Sequence, residues 1–402
     1  MVLAKGAIPS KRLLNAGVGG VTLAFGHDML GRRSSGGRVM RTFAASSTTY
    51  VGAVALCLLG WLLGGDVLGV VQVMSASAGQ SVFPGRNGKI TLIQTCLGGS
   101  QGGPEATSCG KRFAAMSADG SSFHLLRQSD AYEFVWAPDG RRVLINGGRA
   151  IRVLRPEGGK VTTIFRLKPS QSELRLFGAS WFPDGKRIAF TQVQKLRSNR
   201  TTLYTIGVDG TRLHKIRVFP SALDGLSVSP DGHRIAFARG AITPTIYIMN
   251  SDGSGLRKLL SRCHLSINDW SPDSKRLLVS WYEQVGIYCE GPEKGLYIVP
   301  VKGGAATRVF NEPYVDTGPG TAYGSNAPQG EFSPDGTRIA FIVQREPSYA
   351  ALSNTVLVMN ANGTGVRTVR QGLTHYVYDP NGQSECSPCT YYSSLTWQPL
   401  RR

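Results

Sequence analysis

The chain has 402 residues and a formal charge of +19, from 45 Lys and Arg against 26 Asp and Glu. Fifty glycines and 21 prolines, with only 18% charged residues, argue for a turn-rich all-β protein and against a helical one. Residues 1–78 hold seven Lys/Arg and two Asp, so 38 basic and 24 acidic residues, a charge of +14, fall to 79–402. That excess suits contact with polyanions but does not choose among them.

In chain order, residues 1–49 read as a basic leader without a folded core, glycine-rich and irregular enough to place the true translation start near Met40. From Tyr50 to Met74 the chain is apolar except for Asp66 and Gln72, and Lys5, Lys11, Arg12, Arg32, Arg33, Arg38 and Arg41 precede it. With Ala76-Ser-Ala78 at its end, the segment 50–78 reads as a signal peptide cleaved after Ala78. The alternative is a single membrane anchor, against which Asp66 would cost a few kcal/mol. Both place residues 79–402 outside the cytoplasm. Cys57 lacks the small preceding residue of a lipidation site.

Beyond that segment the chain carries five copies of one unit: WAPDGRRVLI (136–145), WFPDGKRIAF (181–190), VSPDGHRIAF (228–237), WSPDSKRLLV (270–279) and FSPDGTRIAF (332–341). Their aspartates, Asp139, Asp184, Asp231, Asp273 and Asp335, are 45, 47, 42 and 62 residues apart. A period in the forties built from strand, turn and strand indicates propeller blades. Pro presets the first central turn position, Asp tolerates the second, and Gly takes the left-handed one. Ser274, where glycine is expected, should cost about 1 kcal/mol. The alternation in RIAF predicts a strand with one face on a neighbouring blade.

A second motif, YIMNSDGSGLR (247–257) or VLVMNANGTGVR (356–367), with looser copies at 204–212 and 297–304, predicts two further strands per blade. RNGKITLI (86–93) lacks the strand that should precede it, and LTWQPL (395–400) lacks all that should come after it. Joined, they complete a sixth blade, which we number one, with its second turn at 116–121. Residues 79–402 therefore predict an all-β, six-bladed β-propeller of four-stranded antiparallel blades, closed by pairing of N- and C-terminal strands. These paired motifs resemble the repeats of TolB-type, WD-repeat-like β-propellers over roughly 84–400. The N-terminal α/β domain of TolB itself has no counterpart here.

Alternate turns of such a blade lie on opposite faces of the disc. The PDG and DG turns share one face; the insertions 97–110, 193–200, 282–293, 311–330, 344–352 and 372–392 share the other. Nine of the 14 tyrosines fall there, among them the binding candidates Tyr282, Tyr288, Tyr314, Tyr323, Tyr376, Tyr378, Tyr391 and Tyr392. Tyrosine offers stacking area with a polar end, suited to a protein or a sugar polymer, and equally suited to packing loops onto the disc. Cys96, Cys109, Cys263, Cys289, Cys386 and Cys389 share that face and, in an exported chain, suggest disulfides. Pairing 96–109, 263–289 and 386–389 is one scheme; cross-pairing of 96/109 with 386/389 is the other. On the turn face, Lys89, Arg142, Arg187, Arg234, Arg276 and Arg338 should form a ring, read either as an anion-binding rim or as partners of the turn aspartates.

Catalytic signals are weak. GGSQG at 98–102 lacks the strand and helix of a nucleophile elbow. His264 and His375 are the metal candidates of an enzymatic alternative, by resemblance to propeller lyases. The reading is an exported, noncatalytic, monomeric propeller without a cofactor, binding a protein or an anionic cell-envelope polymer, with membrane contact only through the N-terminal segment. Export argues against nucleic acid. The alternative is a lyase or hydrolase on carbohydrate or another small substrate.

Overall fold

The computed structural model describes residues 80–402 apart from 97–110, 129–130, 132–133, 195–199, 241–242, 263, 282–293, 312–327, 349–350, 379–383, 387–389 and 401–402. The chain divides into two units, 1–67 and 68–402, and every described residue lies in the second. The sequence-predicted leader and signal or anchor, residues 1–78, lie outside the described residues. Among the described residues no helix is long and apolar enough to cross a membrane.

β1 (Gln80–Ser81) precedes β2 (Arg86–Cys96), β3 (Lys111–Met116) and β4 (His124–Gln128). Blade two is β5 (Phe134–Trp136), β6 (Val143–Asn146), β7 (Ala150–Leu154) and β8 (Thr162–Arg166). Blade three is β9 (Leu174–Trp181), β10 (Arg187–Gln194), β11 (Thr201–Gly207) and β12 (His214–Phe219). Blade four is β13 (Leu223–Val228), β14 (Arg234–Arg239), β15 (Thr245–Asn250) and β16 (Arg257–Ser261). Blade five is β17 (Leu265–Trp270), β18 (Arg276–Trp281), β19 (Gly295–Pro300) and β20 (Thr307–Asn311). Blade six is β21 (Gln329–Phe332), β22 (Arg338–Ser348), β23 (Ala351–Asn360), β24 (Arg367–Tyr378) and β25 (Ser384–Cys386), and β26 (Thr390–Leu400) ends the chain.

Blade one has the order β26-β2-β3-β4, with Ile90 opposite Trp397 and Cys96 opposite Thr390, so both ends of the chain close the ring as the half-motifs predict. The expectation of four strands per blade needs two additions. β25 adds a fifth strand to blade six, and β1 pairs in parallel with β17, Gln80 opposite Asp269. Neither carries the repeat motif. Two insertions also shrink: most of 344–352 and much of 372–392 is strand, because β22, β23 and β24 run on past the disc and β25 and β26 take up part of the return.

Both faces of the RIAF strand are buried, where the sequence predicts one. In β10, Ile188 and Phe190 pack with blade two, while Ala189 packs with Phe237 and Ile235 of blade four. The small residue leaves room for the large ones of the next blade, and each buried Phe or Ile contributes roughly 1.5–3 kcal/mol. The apolar clusters accordingly straddle blade junctions.

The turns are held as their chemistry predicts. Asp184 Oδ1 accepts the Lys186 N–H at 2.8 Å, and Asp231, Asp273 and Asp335 repeat that bond at 2.9–3.0 Å. Gly185 has φ 61°, Gly232 has 75°, and Ser274 adopts 59° without being glycine. The strain at Ser274 is offset across the junction: its Oγ accepts the Asp231 N–H at 3.0 Å and its carbonyl accepts Arg234 at 3.0 Å. Four of the ring cations pair with their turn aspartates, Arg142–Asp139 and Arg187–Asp184 at 2.7 Å, Arg234–Asp231 at 3.1 Å and Arg276–Asp273 at 3.7 Å.

Candidate functional site

The first strands of the six blades, β26, β5, β9, β13, β17 and β21, neighbour one another in a closed cycle and form the inner wall of the ring. Their side chains bond from blade to blade. Ser180 Oγ accepts the Val228 N–H at 3.1 Å, and Ser394 Oγ accepts the Phe134 N–H at 3.3 Å. In blades five and six the same work falls to carboxylates. Asp269 Oδ2 accepts the Phe332 N–H and Glu331 Oε2 accepts the Trp397 N–H, both at 2.8 Å. The other oxygen of Asp269 accepts the Val82 N–H at 3.1 Å, which fixes β1 inside the ring, where it also neighbours β9 and β13.

Asp269 and Glu331 are both fully buried, at 0% and 2% exposure. Burial, and then the charge of Glu331, push Asp269 well above the ordinary carboxylate range against the pull of the N–H bonds from Phe332, Val82 and Trp270. Burial pushes Glu331 up to about 8, opposed by the bond from the Trp397 N–H. Two such carboxyls titrate as a unit, and their burial favours the protonated forms. Farther along the wall, Asp224 has an exposed side chain, yet the ring encloses it and that desolvation raises its carboxyl too.

The face opposite the PDG turns is uneven. β22, β23, β24, β2 and β26 have 10–12 residues, whereas every strand of blades two to five has 3–8. Measured from the ring cation, β22 runs three residues farther from the PDG turns than β10, which at about 3.3 Å per residue raises blade six roughly 10 Å above blade three. β2 and β26 instead spend their extra residues, 86–88 and 398–400, on the PDG side and end level with β10 and β9. Tyr376 and Tyr378 lie on the extension of blade six, opposite Cys386 and Ser384, and Tyr391 lies at the start of β26 opposite Thr95. Tyr392 is different: it is 2% exposed, its hydroxyl accepts Arg370 Nε at 2.9 Å, and its ring meets Phe123 edge-on. It packs the junction.

Tyr282, Tyr288, Tyr314 and Tyr323 lie outside the described residues, as do Cys109, Cys263, Cys289 and Cys389. Cys96 ends β2 opposite Thr390, the residue after Cys389, and Cys386 lies in β25. His264 is buried beside the start of β17 with φ 50°, and His375 lies in β24 opposite Ala351. Among the described residues no three His, Cys, Asp or Glu side chains are grouped to hold a metal. Sequence reasoning missed Asp269 and Glu331. The signal that could have found them was an acid directly before the Trp, Phe or Val at the turn-side end of each first strand's repeat, where the other blades have Val135, Ser180, Ser227 and Thr396.

The ring, its turn chemistry and its shared blade define a six-bladed β-propeller. Over 88 residues the chain is 36% identical to the Tol-Pal system protein TolB of Anaeromyxobacter dehalogenans (strain 2CP-C), which is 21% of this chain and 19% of that protein. The match thus spans about a fifth of the curated relative's length. The structure is similar to the crystal structure of TolB from Acinetobacter baumannii, with a TM-score of 0.53 and 16% identity over 78% of this chain and 67% of that one. It also resembles the structure of putative TolB from Agrobacterium tumefaciens, with a TM-score of 0.49 and 17% identity over 76% and 99% of the two chains. No protein-family model matches the chain.

Proposed function

We propose that this is an exported, noncatalytic propeller that binds a protein or a cell-envelope polymer against the raised wall of blade six. The observation that carries the reading is the selective lengthening of β22, β23 and β24 at their ends away from the PDG turns. A rigid disc with one tall sector offers a partner a concave step, and binding residues collect where connections are carried on such a scaffold. Tyr376 and Tyr378 on that extension, and Tyr391 at the start of β26, would supply contact area with polar ends. The TolB relatives are Tol-Pal system proteins by name, which supports a protein partner, and the segment 50–78 supports an extracytoplasmic location.

The test is capture from cell-envelope extract with the full chain and with the variant Tyr376→Ala, Tyr378→Ala, Tyr391→Ala. The wild type should retain a partner that the triple variant loses by at least tenfold while its thermal unfolding stays within a few degrees. Equal capture by both chains would sink the proposal.

A further inference from the structure

The ring of cations on the PDG face is broken at one place. Arg142, Arg187, Arg234 and Arg276 each pair with a turn aspartate and also lie over an aromatic ring, for example Arg142 over Trp181 at 5.3 Å and Arg234 over Trp270 at 5.6 Å. Arg338 of blade six, at the same strand position, makes neither contact among the described residues. Its aspartate is taken by the neighbouring blade: Asp335 Oδ2 accepts Asn87 Nδ2 at 2.8 Å, and the Asp335 N–H donates to Asn87 Oδ1 at 3.1 Å. Asn87 stands in blade one because the closing blade is cut between its first and second strands. That blade consequently has no PDG aspartate, and Lys89, its ring cation, has none to pair with.

These two exposed cations face one groove of about 570 Å³ between blades six and one, also lined by Asn87, Ser117, Thr337, Gln398 and one carboxylate, Asp335. Its hydrogen-bond capacity can be accounted for group by group. Asn87 and Thr337 are spent on Asp335, the latter at 2.8 Å, and Ser333 occupies the same carboxylate. Gln398 donates to the Gly140 carbonyl at 2.7 Å and accepts the Lys89 N–H at 3.5 Å. Lys89 Nζ lies 3.3 Å from His124 Nε2, which uses one of three ammonium protons. The groups left open are the Arg338 guanidinium, two protons of Lys89 and the Ser117 hydroxyl. A concave surface whose free capacity is nearly all donors, two of them cationic, is complementary to an acceptor with negative charge.

We propose that the groove binds an oxyanion, the carboxylate or phosphate group of a small ligand, between Lys89 and Arg338. The site lies on the face opposite the binding wall proposed above, so either can fail without the other. The experiment is an NMR titration of the full chain with inorganic phosphate and, separately, with acetate, at ionic strength held constant with chloride. The Arg338 Nε–H should shift with saturation in the millimolar range, while the paired Arg187 Nε–H stays still. Lys89→Ala should weaken binding roughly tenfold, the equivalent of one charge-assisted hydrogen bond. Tighter binding of phosphate assigns the ligand group as a phosphate, and tighter binding of acetate as a carboxylate. Non-saturating shifts, equal shifts at Arg187 and Arg338, or undiminished binding in Lys89→Ala would each overturn the proposal.

Discussion

The turn aspartates and the inner-wall carboxylates are one chemistry in opposite surroundings. On the turn face, partial burial pushes Asp184 up, but the bonds from the Arg187 side chain and the Lys186 and Arg187 N–H groups outweigh it and hold the carboxyl low. Asp231, Asp273 and Asp335 are held low in the same way, against the same burial effect, by their Ser hydroxyls, turn N–H groups and cation or Thr partners. At the inner wall Asp269 and Glu331 also accept N–H bonds, yet burial beside each other reverses the outcome. Hydrogen bonding alone does not decide the charge state of a carboxyl; the water it keeps does.

The largest expected effect is at the wall. Asp269→Ala leaves the Val82 and Phe332 N–H groups buried without acceptors, a loss of about 3 kcal/mol or more by urea unfolding, and limited proteolysis should then cut near residues 80–85 as β1 comes free. A variant as stable as wild type would show that β1 is held by packing alone. Next is the pH dependence, where the two regions have opposite signs. A carboxyl raised in the folded state contributes stability in acid that is lost as pH rises through its folded value, so Glu331 should lower stability between pH 4.5 and about 8. The turn aspartates, lowered in the folded state, contribute stability above their ordinary value near 3.8 that is lost as pH falls below it. Glu331→Gln should reduce the first slope and leave the acid limb unchanged; a slope that survives undiminished would move its origin to Asp269 or Asp224.

Asp184→Ala should cost about 1 kcal/mol, since it releases two turn N–H groups to water rather than to a dry interior. Smallest of all, Arg187→Ala should cost under about 1 kcal/mol and Arg338→Ala about zero. Equal losses for the two arginines by thermal unfolding would mean that Arg338 has a structural partner and would erase the asymmetry of the ring.

The candidate regions were unequally legible. The arginine ring could be read at all six positions, and the pairing reading holds for four of them, because an Asp and an Arg three residues apart across a tight turn meet through local geometry. That Asp335 would turn to Asn87 instead was not legible, since the two are 248 residues apart and meet only through ring closure. Tyr392 looked like its neighbour Tyr391 in a tyrosine-rich stretch, and only its register in β26 turns it into the junction with Arg370 and Phe123.

By itself the sequence determined the unit and the number of units: the turn chemistry, the alternation in RIAF, and the half-motifs at both ends that make six blades. Those signals are local, each carried by residues within one hairpin or by its evident missing half. Tertiary structure alone decided that Gln80 and Ser81 lie inside the ring, that Asp269 and Glu331 are buried side by side, and that blade six stands taller than blade three. A parallel pairing across 189 residues, the water left to a carboxyl and the point where a strand ends all depend on neighbours that the local pattern does not contain.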